Sequence, residues 1–281
     1  MKNKVAFLMP IYPPHYGYCK EAISSFKNNN LDKQADFWLV FTHEDEAQAF
    51  GEYENKIVLP ENLREFRNRG IINIKKIYGL SQLKELYEYV LVVDSEISFI
   101  RDINIYDLCN KYFERKILLG NQATISKTAS LIQDSNKIFF ANANNKELID
   151  TQLYLWFNQP CFYKMAHFDE FYEIIGGIDG LKCLCWSNFD YYMYMYYLIL
   201  FHNFKIKNLE AMADCGVLEN REPIEVDSRY LPFIMMCSVN MRENVDNENL
   251  FMIIHLDRIK TGKSKLYKFF HLYWLRGIKD D

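Results

Sequence analysis

The chain has 281 residues, 49% of them hydrophobic, which supports one large domain or a domain with a small appendage and excludes a disordered chain. Its formal net charge of -4 at pH 7 excludes a general nucleic-acid binder, which needs a basic surface to replace phosphate counterions. Seven cysteines, odd in number and without a CxxC pair, read as free thiols of a reducing cytosol, not a disulfide scaffold or a zinc knuckle.

Residues 5–9, a short apolar run closed by Pro10, predict a buried strand. The run is too short for a signal peptide, and no stretch of about twenty apolar residues exists to span a membrane. A helix is expected over 16–29, with Ala22, Ile23 and Phe26 on one face, then a second buried strand over 37–41. An acidic helix over 44–53, a short strand over 56–59 and a further strand over 71–74 follow, then a helix over 81–87. Residues 89–93, Tyr-Val-Leu-Val-Val, are the strongest strand of the chain. This alternation implies βαβ units and an α/β fold whose mainly parallel sheet is covered on both faces. Ligands of such sheets bind beyond the carboxyl ends of the strands, so the polar residues to inspect are Tyr12 to His15, Thr42 to Asp45 and Asp94 to Glu96.

The second half is less regular. Residues 121–150 read as a polar, loop-containing excursion, 153–157 as a strand, 168–175 as a helix, 188–202 as a long helix, and 251–254 as a late strand ending at His255.

The sharpest chemical feature is Asp94-Ser95-Glu96 after the strongest strand. Alternation in an extended chain places Asp94 and Glu96 on one side, where both carboxylates can reach one hard cation, Mn2+ or Mg2+. The plainer alternative is a strand-end pair satisfied by backbone N–H groups, Arg101 or Lys84. With Met9-Pro10-Ile11-Tyr12 closing the first strand and residues 78–89 leading into the metal strand, residues 4–102 resemble the GT-A glycosyltransferases. The similarity extends to bacterial capsular polysaccharide and lipooligosaccharide sugar transferases. Glu96 stands where the Asp-x-Asp motif of that family has its second Asp.

The resemblance implies a GT-A fold over residues 1–262, with a nucleotide-binding half at 1–102 and an acceptor half at 103–262. It also implies a nucleotide-diphosphate sugar as donor. Pro10 and Tyr12 would bound and stack on the base, Thr42 and Glu44 would meet base or ribose, and Lys76 and Gln82 would reach phosphate or ribose. Thr42 and Glu44 read equally as a helix cap and its acidic first turn, and Lys76 as part of a solvated helix face. Asn158-Gln159 before Pro160 resembles the Phe-Asn-x-Gly stretch that sits beside the donor sugar in the retaining lipooligosaccharide galactosyltransferases. Asp190, at the start of the long helix, is the candidate base for an acceptor hydroxyl, or a first-turn helix charge. His255 corresponds to a third metal ligand, and Lys260 to a phosphate-facing lysine, in the same family. Asp190 favours inversion, whereas His255 and Asn158-Gln159 favour retention, the preferred reading.

Residues 263–281 form a basic tail in which Leu266, Phe269, Phe270, Tyr273 and Trp274 share a helical face. Such a helix would either hold a cytoplasmic enzyme at the inner face of the membrane, near a glycan or lipid-linked glycan acceptor, or pack its aromatic face on the domain. The competing functions are a nucleotidyltransferase acting on sugar phosphates and a non-enzymatic, membrane-peripheral glycan-binding protein.

Overall fold

A computed structural model describes residues 3–65, 70–99, 102–121, 127–151, 153–155, 159, 161–208 and 253–255. The first half alternates β1 (Val5–Pro10), α1 (Tyr16–Asn28), β2 (Ala35–Phe41), α2 (Glu44–Phe50), β3 (Lys56–Val58), α3 (Ile71–Leu83) and β4 (Tyr89–Val92). Then come β5 (Ile97–Phe99), α4 (Ile105–Arg115), β6 (Ile117–Asn121), α5 (Lys127–Lys137), β7 (Tyr154–Leu155) and β8 (Phe162–Lys164). The remaining elements are α6 (Phe168–Ile174), α7 (Gly177–Lys182), α8 (Asp190–His202), β9 (Lys205–Asn208) and β10 (Ile253–His255).

The main sheet has the order β3-β2-β1-β4-β8, with β1 to β4 parallel and β8 antiparallel on β4. β1 lies in the middle and every one of its residues is buried, which accounts for its unbroken apolar sequence. The chain steps outward from β1 to β2 to β3, then crosses back to lay β4 on the other side of β1. That reversal opens a crevice beyond the carboxyl ends of β1 and β4. β6 carries β7 and β9 in a second sheet, and β5 pairs antiparallel with β10. Phe7, Phe26, Phe37 and Phe99 pack ring on ring beneath α1, tying β5 to the main core.

Two sequence expectations are corrected. The strand over 71–74 and the helix over 81–87 are one helix, α3, that runs from Ile71 to Leu83. α3 is packed between the sheet and the helices α7 and α8. A helix buried over most of its surface shows no narrow apolar stripe, so Ile71-Ile-Asn-Ile imitates a strand. It lies very close to the sheet: a Cβ at Gly79 would stand 2.8 Å from Leu8 and 2.9 Å from Val40. The expected excursion over 121–150 contains a further helix, α5, whose Gln133 and Asn136 are buried. β8 and β9 had no sequence expectation. Each is short; β8 is largely buried, whereas β9 is held by its pairing with β6 and leaves Lys205 and Lys207 exposed. Cys19, Cys109 and Cys161 are buried free thiols, and Cys183 and Cys185 are free as well. Among the described residues no helix is long and apolar enough to cross a membrane. The expected tail over 263–281 lies outside the described residues.

Candidate active site

The crevice beyond β1 and β4 gathers most of the residues singled out from the sequence. Ile11 prolongs the ladder of β1 with a bond from its N–H to Val40 O, 2.8 Å. Pro13 and Pro14 then force a tight turn, in which His15 N–H bonds Tyr12 O at 2.8 Å and α1 begins at Tyr16. Tyr12 is exposed at the lip (55%), and its ring meets that of His15 edge-on at 5.3 Å. No side chain caps α1, and its first turn holds no acidic residue. The Tyr16 N–H bonds Pro13 O, and the Glu96 carboxylate stands 3.3 Å from His15 at the start of the helix, on the side favoured by its dipole.

On the other side, Val93 N–H bonds Leu8 O at 2.9 Å and carries β4 to the Asp94-Ser95-Glu96 turn. The Asp94 side chain is 43% exposed and its Oδ1 lies 3.0 Å from Lys76 Nζ. The same ammonium lies 3.2 Å from Asp190 Oδ1, an atom with no hydrogen bond of good geometry. Tyr163 donates its hydroxyl to the other Asp190 oxygen at 2.7 Å. Lys76 and Asp190 are both buried. Burial opposes the charge of Lys76, but the carboxylates of Asp190 and Asp94 outweigh it and raise its pKa above the ordinary lysine value. Glu96 accepts from Ser95 Oγ at 2.9 Å, and its Oε2 lies 3.3 Å from His15 Nδ1.

The neighbouring lysine has a different fate. Lys75 is also buried, donates to Ile11 O, and has Glu46 Oε2 3.9 Å away. Desolvation dominates there and pulls its pKa down to about 8, only partly opposed by Glu46. Glu46 in turn accepts from Thr42 N–H at 2.9 Å and closes the first turn of α2, while Glu44 is exposed in that turn.

No protein-family model matches this chain, and no curated protein matches it. Solved structures similar in chain course include the following three. TarS from S. aureus shares 14% identity at a TM-score of 0.40, over 76% of this chain and 36% of that one. Core-mannan synthase A from Aspergillus fumigatus, solved in a Mn/GDP form, shares 12% at 0.42, over 74% and 73%. The mannosyltransferase Ktr4p from S. cerevisiae shares 11% at 0.38, over 69% and 65%. The chain thus spans about a third of the length of TarS. A similarity of this size assigns no residue a role.

The structure brings Pro10, Tyr12, Lys76, Asp94, Ser95 and Glu96 to one crevice, with Thr42 and Glu44 at the neighbouring strand end. Lys76 is not on a solvated face: it is the buried bridge between Asp94 and Asp190. Asp190 does not stand at a helix surface as a base for an acceptor hydroxyl. It is 1% exposed and enclosed by Lys76 and Tyr163, so in this conformation it positions the lysine and cannot meet a substrate oxygen. Gln159 is likewise turned inward at 3% exposure. Its amide oxygen accepts from Leu119 N–H and its NH2 donates to Leu119 O, both at 2.8 Å, which prolongs β6 rather than presenting the amide to a sugar. Asn158 and Lys260 lie outside the described residues, and His255 is described by its backbone alone. β10 sets it in register opposite Ile97, next in sequence to Glu96.

Sequence reasoning gave no role to His15, Lys75, Glu46 or Tyr163. His15 stood in a stretch marked for inspection, but nothing in the local pattern ties it to residue 96; that pairing exists only once β1 and β4 are adjacent.

The donor chemistry of the crevice fits a divalent cation. Asp94, Glu96 and Asp190 set three carboxylates against the single ammonium of Lys76, leaving an excess of two negative charges when His15 is neutral. Asp94 and Glu96 are the two of these carboxylates with solvent-accessible side chains, at 43% and 21%. Among the described residues no three His, Cys, Asp or Glu side chains form a ready metal-holding group.

Proposed function

We propose that this chain is a metal-assisted glycosyltransferase of GT-A type, which moves a sugar from a nucleotide-diphosphate sugar to a glycan acceptor. One observation carries the proposal. At the point where the strand order reverses, two accessible carboxylates stand together, Glu96 beside His15 at the start of α1 and Asp94 on Lys76 of α3. A cation-seeking group beside an anion-seeking group suits a metal-bound diphosphate better than either partner alone.

Asp94 and Glu96 supply the hard oxygen donors for Mn2+ or Mg2+. When bound, the cation neutralises charge on the departing diphosphate. The start of α1, where no side chain caps the helix and Gly17 is exposed, takes phosphate oxygens. Tyr12 offers an exposed ring on which a nucleobase stacks. Lys76 keeps Asp94 in place and spreads positive charge under the crevice.

With Asp190 enclosed, the argument for an inverting base loses its residue; with Gln159 spent on Leu119, the retaining reading is left with the resemblance at Asn158 and His255. A role in bacterial surface polysaccharide or lipooligosaccharide synthesis, a lipid-linked acceptor and attachment to the membrane face through residues 263–281 belong to the same proposal. They are supported by the sequence resemblance and the basic aromatic tail.

The test is a thermal-shift panel of nucleoside diphosphates with and without Mn2+. A ligand that binds the folded state raises the melting temperature by mass action. The expected result is a rise with one nucleoside diphosphate that requires the cation. No rise with any nucleotide, with or without Mn2+, overturns the proposal.

A further inference from the structure

The segment before α8 closes into a tight turn, in which Asn188 N–H bonds Cys185 O at 3.2 Å and Cys185 N–H bonds Asn188 Oδ1 at 2.8 Å. Trp186 stands at the tip of this turn and is 41% exposed. Three buried asparagines hold it. Asn73 donates to Cys185 O at 3.0 Å, Asn136 to Ser187 O at 3.1 Å, and Asn188 to Ser135 O on α5 at 3.1 Å. Leu184 lies so close to the start of α3 that a Cβ at Gly70 would stand 2.2 Å from its carbonyl oxygen. The shape of the turn is thus fixed on both sides, by α3 and by α5. It presents a large ring to solvent, where burial would have stabilised it.

α3 sets the position of the turn. β3 and β4 run in the same direction, so α3 between them runs back and begins at the carboxyl ends of the strands. Asn73 and Lys76 are three residues apart and share one face of that helix, with their side chains rooted about 5–6 Å from each other. Asn73 holds the turn, and Lys76 holds Asp94 and Asp190. The turn therefore stands one helical turn further out than the ions of the crevice, at its rim on the α8 side. Tyr12 stands exposed on the β1 side. Phe189 and Tyr191 follow the turn in the chain, both half-buried, with ring centroids 5.6 Å apart. Lys76 Nζ lies 6.0 Å from the centre of the Tyr191 ring, which places that end of the aromatic run at the crevice.

We propose that Trp186 is the platform on which a pyranose ring of the acceptor stacks. This rests on the transferase reading and gives its acceptor side a residue and a ligand chemistry. The C–H face of a pyranose is apolar and weakly positive, and it lies against the negative face of an aromatic ring while the hydroxyls of the sugar stay in water at the rim. One rim of the crevice then offers a ring to the nucleobase and the other offers a ring to the acceptor, with the carboxylates between them. A turn already fixed in shape loses little freedom when the sugar binds.

The experiment is saturation-transfer difference NMR on the full chain, with and without nucleoside diphosphates and diamagnetic Mg2+, against a panel of methyl glycosides of hexoses and N-acetylhexosamines. The wild type is expected to pass saturation to the C–H protons on one face of at least one glycoside. Trp186→Ala is expected to cut that signal about tenfold, as the loss of an anchoring aromatic ring does. Trp186→Phe, which keeps a ring at the tip of the turn, is expected to retain a large part of it. Both variants are expected to show the same rise in melting temperature with nucleoside diphosphate as the wild type. A signal unchanged in Trp186→Ala, or no signal from any glycoside on the wild type, overturns the platform while the donor reading stands. A signal that depends on Trp186 in a chain whose melting temperature no nucleotide raises keeps the sugar-binding turn and removes the transferase reading.

Discussion

Two regions lie back to back along α3, one around Lys75 and one around Lys76, and they treat the same side chain in opposite ways. Lys76 faces the β1–β4 crevice, where two carboxylates stand within 3.2 Å and keep it charged. Lys75 faces the ends of β1 and β2, where it has a carbonyl and a carboxylate 3.9 Å away, and burial wins. Burial alone therefore does not decide the pKa of a lysine; the count and distance of its acidic neighbours do. The Lys76 region is an ionic cluster with carboxylates in excess that opens to solvent through Asp94. The Lys75 region stores unfavourable electrostatic energy.

The sharpest way to break this contrast is Lys76→Met. It leaves Asp190 buried without its cation, which costs about 3–5 kcal/mol. A urea denaturation midpoint well below the wild type is expected; an unchanged midpoint would show that Asp190 finds another partner.

The second experiment reads the opposite sign at the adjacent position. The pKa of Lys75 is lowered in the folded state to about 8, from an unfolded value of 10.5. The unfolded chain therefore binds more protons between these values, and stability rises with pH across that window. The cost is fully present below pH 8, and Lys76, with its raised pKa, contributes no such slope there. Lys75→Met is expected to flatten the rise between pH 8 and 10, and to stabilise the protein near neutrality by about 2–3 kcal/mol. Parallel stability curves for wild type and variant would refute the assignment.

The smallest effect on folding is expected from Asp94→Asn. Its side chain is 43% exposed and Lys76 retains Asp190, so the loss is about 1 kcal/mol or less. The change should instead appear in Mn2+-dependent nucleotide binding. A variant that bound the nucleotide and cation as the wild type does would remove Asp94 from the proposed site.

The same two regions mark how far sequence reasoning reaches. β1, β2 and β4 were legible because strands covered on both faces must be continuously apolar, and Asp94-Ser95-Glu96 because two carboxylates after such a strand are conspicuous. α3 was illegible for the same reason in reverse: buried over most of its surface, it shows no clear apolar face, and Lys76 read either as reaching phosphate or as solvated. Asp190 and Gln159 looked like exposed chemistry because type and position suggested it. Only the folded chain shows one locked by Tyr163 and Lys76 and the other spent on the backbone of Leu119. The link from His15 to Ser95 and Glu96 spans 80 residues and follows from strand order, which local pattern does not encode.

Gly79 gives these charges their depth. Because only a hydrogen stands between α3 and the side chains of Leu8 and Val40, the helix axis settles against the sheet. The two lysines that precede it by one turn are drawn beneath the strand ends. A methyl group there would act as a shim, lifting the helix and tilting both ammonium groups toward water. The electrostatics of the crevice thus depend on an uncharged position that touches neither carboxylate nor ligand.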